Sequence, residues 1–295
     1  ESMLITCKRA ASFGNAKLVC HKDGKIAALQ FDIANDHGGV PKGGETDENK
    51  VIRLVLWPYY VPSVVGLSRG GVSNNAYSGA FRCHGGPPAF TVGESLMDMM
   101  AEKLGMDPFE LRYRNVPDQE KGDTTLNSWP FVVYTQKQMM DMARPAYEKA
   151  LAWKQEPATP GWKRGVGIAF GGYSVGSPND KSECALELCE GDIFAVYNSW
   201  QECGQGSDTG SVGIVHEALR ELNVSPERIR LVMNDTGMCP NSGPSSGSRG
   251  NFMNGNDVRD AAAQLMDAMR KPDGTYRTYA EMVAEGIPTK YYGHY

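Results

Sequence analysis

No apolar run in this 295-residue sequence approaches the roughly 20 residues that a membrane helix needs, so no spanning segment is expected. Positive charge is also short. Thirty Lys and Arg against 35 Asp and Glu leave a net charge of -5, and no basic cluster interleaved with aromatics occurs, which argues against nucleic acid as a partner. Paired cysteine spacing is missing. The seven cysteines, at 7, 20, 83, 184, 189, 203 and 239, are odd in number and none forms a CxxC, so neither a disulfide framework nor a zinc ribbon is expected. Most are expected to be reduced, which favours a cytoplasmic protein. The first residues, Glu1-Ser2-Met3-Leu4-Ile5, carry neither an initiating Met nor a signal-peptide pattern, and read as a cut edge.

Other absences remove specific chemistries. Val215-His-Glu-Ala-Leu-Arg220 lacks the second His one turn on that a zinc-protease helix requires, so His216 is expected to pack or cap. Cys184 and Cys189 lie five apart in a predicted strand, face opposite sides and cannot chelate one metal. Gly204-Gln205-Gly206 is too short for a dinucleotide fingerprint, and no P-loop lysine follows it. Glu94, Asp98 and Glu102 are placed by helical spacing on a solvent face.

What is present is an ordinary globular composition, 41% hydrophobic and 22% charged, with material for a sizeable interior, and a length that suits about two domains. Lys17 to Ala34 reads as a hairpin around Asp23-Gly24, because Asp-Gly supplies the positive φ of a tight turn. Asn35 to Lys50 reads as a loop and Val51 to Trp57 as a strand. Glu94 to Leu104 is a predicted helix with its methionines as core filler, stopped by Gly105. Asp107-Pro108 caps and starts another, with Glu110 placed to return a bond. A third covers Gln138 to Trp153, kinked or restarted at Pro145. Gln155 to Gly161, with two prolines, is the predicted linker between a domain over 1–154 and another over 162–295.

Beyond the linker, Gly165 to Tyr173 and Glu183 to Cys189 read as strands, and Glu190-Gly191-Asp192 turns the chain into a strand from Ile193 to Trp200. A Gly-rich turn at 204–206 then opens a helix, capped by Ser207 or Asp208, whose apolar positions 212, 215, 219 and 222 share one face. A short helical start at Ser225-Pro226 precedes the strand Ile229 to Met233. Next comes Asn234 to Gly250, with four glycines, four serines and two prolines, leading into a helix over Val258 to Met269. By residue type this stretch suits a linker or an anion-binding loop about equally. Both irregular loops follow strands and precede helices, so two backbone-donor turns could converge on one elongated polar ligand.

Five segments taken together carry a family resemblance: Gly79-Ala-Phe-Arg-Cys-His-Gly-Gly-Pro87, Leu96 through Arg112, Gly204-Gln-Gly-Ser-Asp208, His216 through Arg220, and Pro240 through Arg249. In order and spacing they resemble the molybdenum-binding subunit of the xanthine dehydrogenase and aldehyde oxidase family, its bacterial aldehyde oxidoreductases of the sulfate-reducer type above all. The resemblance implies an α+β fold: two elongated domains of mixed β-sheet with helices packed on them, both truncated here. It implies a molybdopterin cofactor, often as the cytosine dinucleotide, with 2Fe-2S clusters and FAD on other domains or subunits. The implied reaction oxidises an aldehyde or electron-poor N-heterocycle with a water-derived oxygen. The implied partners are that substrate, an iron-sulfur domain, the remainder of the subunit, and a second copy in a homodimer of the full enzyme.

Carried over by position, Gly204, Gln205 and Gly206 match the turn that contacts metal and pterin, and Phe81 and Arg82 the segment beside the metal. Ser242, Gly243, Ser245, Ser246, Gly247, Ser248 and Arg249 match the loop around the pterin and its phosphates. No residue here is implied as a direct metal ligand, since the pterin dithiolene holds the molybdenum. His84 stands where the family has a channel-lining aromatic, which admits a more polar or anionic substrate. Cys83, Pro88 and Cys203 are further departures. The family's general-base Glu, in a Gly-Val-Gly-Glu segment, and its Gly-Gly-x-Phe-Gly-x-Lys turn do not occur. The chain therefore resembles an excised middle of a larger subunit, expected to be inactive alone, with the alternative of a non-catalytic or split module that needs a partner chain. With its ligand gone, the 234–250 loop is expected to be mobile.

Overall fold

The structure is a computed structural model describing residues 6–39, 47–126, 128, 130, 131, 133–173 and 179–295. The chain separates into two compact units, Glu1–Tyr173 and Ser174–Tyr295. Of the predicted linker, Gln155 ends the last helix of the first unit and 156–161 follow it within that unit. No helix among the described residues is long and apolar enough to cross a membrane.

In the first unit, β1 (Ala11–Cys20) and β2 (Ile26–Asp36) form the expected hairpin, antiparallel in a register that pairs Leu18 with Leu29. Gly24, at φ 88°, closes the turn through its N–H to His21 O. β3 (Val64–Gly71) runs parallel to β2 and completes a three-stranded sheet. The strand expected over Val51 to Trp57 is instead α1 (Asp47–Leu54) followed by turns. Val51, Leu54 and Val55 recur at helical spacing and all are buried, a run too short for periodicity alone to separate helix from strand. Part of the loop expected before it, 40–46, lies outside the described residues, as does 1–5.

Helix α2 (Gly86–Leu104) starts earlier than Glu94 because Pro87 and Pro88 fit a first turn whose N–H groups have no helical partner anyway. It ends as expected on Gly105, at φ 62°, whose N–H reaches Ala101 O and Glu102 O. Met97 is fully buried, whereas Met99 is 65% exposed and fills no core. Asp107 caps α3 (Pro108–Arg114) by accepting from Phe109 N at 2.8 Å and Glu110 N at 3.1 Å. Glu110 pairs with Arg144 at 2.5 Å. Helix α4 (Gln136–Gln155) continues without a break through Pro145.

Glu94 is buried, against the expectation from spacing. It accepts from Arg112 Nε at 2.8 Å, Tyr59 OH at 2.7 Å and Phe170 N at 3.0 Å. Burial, with the Glu94 charge, pushes the Tyr59 phenol up from its ordinary range. Gly165 to Tyr173 forms no strand; its Phe170 N–H is spent on that carboxylate and the Phe170 ring meets Tyr59 edge-on.

The second unit is a four-stranded sheet in the order β6 (Ile229–Met233), β5 (Ile193–Asn198), β4 (Glu183–Cys189), β7 (Lys290–His294). β4 (Glu183–Cys189) and β5 (Ile193–Asn198) form the expected hairpin, with Gly191 and Asp192 at positive φ in its turn. From β5 the chain crosses through α5 (Ser207–Ala218) to β6 (Ile229–Met233), which lies parallel to β5. It continues through α6 (Gly255–Met269) and α7 (Tyr279–Ala284) to β7 (Lys290–His294), antiparallel to β4. Val215 and Leu219 are buried, Val212 and Leu222 partly so, in one cluster with Leu186, Leu188, Val196, Val258 and Leu265, which joins α5 and α6 to one sheet face. Cys184 belongs to that cluster and Cys189 packs with Ala185, Ala195 and Tyr197, on opposite faces as expected.

Candidate cofactor site

The adjacency that sequence could not decide is present: β5 and β6 are parallel neighbours, so the loops that leave their carboxyl ends begin side by side. Serines and a glutamine join them. Ser199 N donates to Ser242 Oγ at 3.0 Å and Ser242 N to Ser199 Oγ at 2.9 Å. Two residues on, Gln201 N donates to Ser245 Oγ at 2.7 Å, and Ser245 N to Gln201 Oε1 at 2.8 Å. Ser242 is fully buried and its hydroxyl also donates to Glu183 O at 2.8 Å.

Beneath the second loop lies Arg249, 3% exposed. Its guanidinium donates to Asp180 Oδ2 at 2.7 Å, to Ser242 O at 2.7 Å, to Pro244 O at 3.1 Å and to Lys181 O, and lies 4.9 Å from the Trp200 ring centroid. These contacts leave the guanidinium shaping the loop from within. Gly243, at φ 76°, is required there, because a Cβ would run into that guanidinium. The outer crest is Ser246, Gly247 and Ser248, all exposed, with the last two at positive φ. Their hydroxyls and the N–H groups of Gly247 and Ser248 have no hydrogen-bond partner among the described residues. Two buried donors at the root of the loops, Asn198 Nδ2 and Trp200 Nε1, are likewise unpartnered among the described residues.

The other turn is held by its own side chains. Gly204 and Gly206, at φ 97° and 87°, face open space where a Cβ would stand. Gln205 Nε2 donates to Gln201 O at 2.7 Å and Ser207 Oγ at 2.6 Å, and its Oε1 accepts from Cys203 N at 2.5 Å. Neither Ser207 nor Asp208 caps α5: the N-cap is Gly206, and the Glu202 carboxylate accepts from Gly204 N, Gly206 N and Asp208 N. Glu202, Ser199, Gln201 and Trp200 escaped sequence reasoning, although a carboxylate two residues before a Gly-x-Gly turn was a usable signal for the first.

In the first unit, Phe81 is half exposed, with the Arg9 guanidinium 5.3 Å from its ring centroid, and Arg9 Nη2 donates to Arg82 O at 2.7 Å. The Arg82 side chain is exposed and its guanidinium has no partner among the described residues. Cys83 adopts φ 59°, and burial pushes its thiol up while the Arg9 charge pulls it down. The backbone carbonyl of His84 accepts from Tyr173 OH at 3.3 Å. His216 is exposed, with its ring Nδ1 within 2.9 Å of Val224 O.

Twice along its length, over residues 1–116 and 141–295, the sequence matches the molybdopterin cofactor-binding domain. The chain belongs to the molybdopterin cofactor-binding family. It is similar to the aldehyde oxidoreductase of Megalodesulfovibrio gigas, 40% identical across the whole chain and 32% of that protein. It is 25% identical over 301 residues to aldehyde oxidase 4 of Mus musculus, covering 97% of this chain and 22% of that one. The crystal structure of aldehyde oxidoreductase from Desulfovibrio desulfuricans superposes with a TM-score of 0.80 at 40% identity, over 98% of this chain and 32% of that one. The chain thus spans about a third or less of these relatives, and the two molybdopterin-binding matches agree with an α+β fold of mixed sheets with helices.

The residues present fit such a group. Parallel-strand loops pinned together, a crest of unpartnered N–H and hydroxyl donors, and open space at Gly204 and Gly206 are what an anionic, elongated cofactor requires of a protein.

Proposed function

We propose that this chain is part of a molybdenum hydroxylase that oxidises an aldehyde or electron-poor N-heterocycle with a water-derived oxygen. The observation that carries the reading is the pinning of two loops at the ends of adjacent parallel strands, in a chain 40% identical to an aldehyde oxidoreductase. Bound there, the molybdenum cofactor supplies the redox centre that hydroxylation needs. The chain's own residues bind and orient. Ser246, Gly247 and Ser248 offer donors to phosphate oxygens, and Gly204 and Gly206 leave room for the pterin beside Gln205, whose amide holds the turn in shape. Phe81, Arg82 and His84 enter on the sequence match: Arg82 brings a permanently charged fork for substrate or oxo group, and His84 a polar lining in place of an aromatic.

In this reading residues 1–154 are the carboxyl-terminal part of one cofactor-binding domain, 155–161 a linker, and 162–295 the amino-terminal part of the next. The cofactor is the cytosine dinucleotide form, electrons pass to iron-sulfur and flavin domains, and the full enzyme is a cytoplasmic homodimer. A second reading rests on the absence of a Gly-Val-Gly-Glu segment: the chain is a binding module whose partner brings the general base. Metal analysis and oxidised-pterin fluorescence on the purified chain test the proposal. Weak or no pterin binding and no turnover are expected of the chain alone, and turnover of an aldehyde with stoichiometric molybdenum would overturn both the inactivity and the need for a partner.

A further inference from the structure

The amino terminus of α5 already holds an anion, and the anion belongs to the chain. Glu202 folds back over the turn that follows it. Its Oε1 accepts from Gly204 N at 2.6 Å and Gly206 N at 3.0 Å, and its Oε2 from Asp208 N at 3.2 Å. The N–H groups at the start of a helix are unpaired and carry the positive end of its dipole. Here one carboxylate takes the N–H of Asp208 in the first turn, that of the N-cap Gly206 and that of Gly204 just before it. The Gly206 N–H, then that of Asp208, keep Glu202 below the ordinary glutamate range, so its charge persists at neutral pH. Gln205, in the middle of the same turn, has its amide held on both sides by Cys203 N, Gln201 O and Ser207 Oγ.

We propose that Glu202 is an internal counter-ion that closes the α5 amino terminus to phosphate and holds the Gln205 turn in shape. The turn then meets a ligand with its open glycine faces, not with a row of backbone donors, the Gln205 amide being spent within the turn. This rests on the cofactor reading above and divides the site. Phosphate oxygens are left to the Ser246–Ser248 crest, and a neutral part of the ligand to 204–206. A phosphate approaching α5 would meet a like charge already seated on the donors it seeks.

Inorganic pyrophosphate, titrated into the isotopically labelled full chain with backbone amides followed by NMR, tests this. In the unaltered chain the amides of Gly204, Gly206 and Asp208 should not respond. In E202A the same amides should shift saturably, with apparent affinity there raised about tenfold or more, as expected when a helix terminus gains its anion. E202Q keeps the length and one acceptor oxygen without the charge, and should show an intermediate response with the parent's amide pattern in the turn. If E202A does not fold, E202Q carries the comparison. Equal responses at 204–208 in the parent and in a folded variant, or silence there in a folded variant, would overturn the assignment. A parent chain whose Gly247 and Ser248 amides ignore pyrophosphate would count against the cofactor reading, and leave the Glu202 assignment to the response at 204–208.

Discussion

Ser199 and Ser242 each use the other's hydroxyl as the acceptor for their own backbone N–H, at 3.0 and 2.9 Å respectively, across the gap between the loops that follow β5 and β6. The pair is reciprocal, so each serine satisfies a loop N–H that has left its sheet and would otherwise lack a partner. Only Ser242 is fully buried, and only its hydroxyl also serves a third group, Glu183 O. Ser242→Ala should therefore cost about 1–3 kcal/mol, the range for stranding a buried donor or acceptor, and Ser199→Ala less. Urea unfolding of both variants and the double variant checks this. The double variant should fall short of the sum by about 0.5 kcal/mol or more, because the two share one interaction; strict additivity would show that the serines are not coupled.

Arg249 is predicted to be structural first. Its guanidinium satisfies Asp180 and the carbonyls of Lys181, Ser242 and Pro244 while lying against Trp200. Arg249→Ala leaves a partly buried carboxylate and three carbonyls without that partner, a loss on the order of 3–5 kcal/mol for breaking a buried pair. Arg249→Lys should recover only part, since one ammonium cannot reproduce a planar fork. If Arg249→Ala instead unfolds at the parent's midpoint but loses pyrophosphate binding, the arginine acts on the ligand and not on the loop.

Local chemistry made most of the second unit legible. A Gly-Asp turn announced its hairpin, as Asp-Gly did the one in the first unit, and apolar spacing placed α5, β6 and most of α6. What stayed hidden was long range. Glu94 sits on a helical face that reads as solvated until Arg112, Tyr59 and Phe170 arrive from elsewhere in the chain to bury it. Val51 to Trp57 has the composition of a strand, and the packing of Val51, Leu54 and Val55 into the core decided for a helix. The candidate loops were recognisable by their Gly and Ser content. Their contact was not, because it depends on β5 and β6 being neighbours, and the division of labour between buried Ser242 and Arg249 and exposed Ser246 to Ser248 depends on that contact in turn.

The Glu94 and Arg112 pair offers a test in the first unit. Arg112 is fully buried and its guanidinium also reaches Asp98 at 2.8 Å and Pro108 O at 3.1 Å. Glu94→Leu strips the carboxylate from Arg112, Tyr59 and Phe170 N together and should cost on the order of 3–5 kcal/mol. Replacing both partners, Glu94→Leu with Arg112→Met, should recover the part of that loss that comes from the buried Arg112 charge, left with the half-exposed Asp98 alone, while Tyr59 OH and Phe170 N still lack their acceptor. Chemical denaturation of the three variants reads the difference; a double variant as damaged as the sum of the singles would refute the account.

Asp257 gives the second unit a pH dependence of unusual sign for a carboxylate. It is fully buried in the first turn of α6, with Oδ2 accepting from the Ser182 hydroxyl and Oδ1 unpartnered among the described residues. Burial pushes its pKa up to about 7, against weaker downward pulls from Ser182, Cys184, Val258 N and the Arg249 charge. An unfolded chain holds the same group near its ordinary value of ~3.9. The folded state therefore binds the proton more tightly, and the contribution is fully present below about pH 4, declines as pH rises toward about 7, and is gone above it. The interval of about 3 pH units at ~1.4 kcal/mol each sets an upper size of about 4 kcal/mol. Asp257→Asn keeps the shape and an acceptor for Ser182 but cannot ionise, so its stability should be nearly flat over that window. Urea midpoints measured every half unit from pH 4 to 8 should show the parent losing ground to the variant as pH rises; parallel curves would mean that Asp257 is charged in the folded protein throughout.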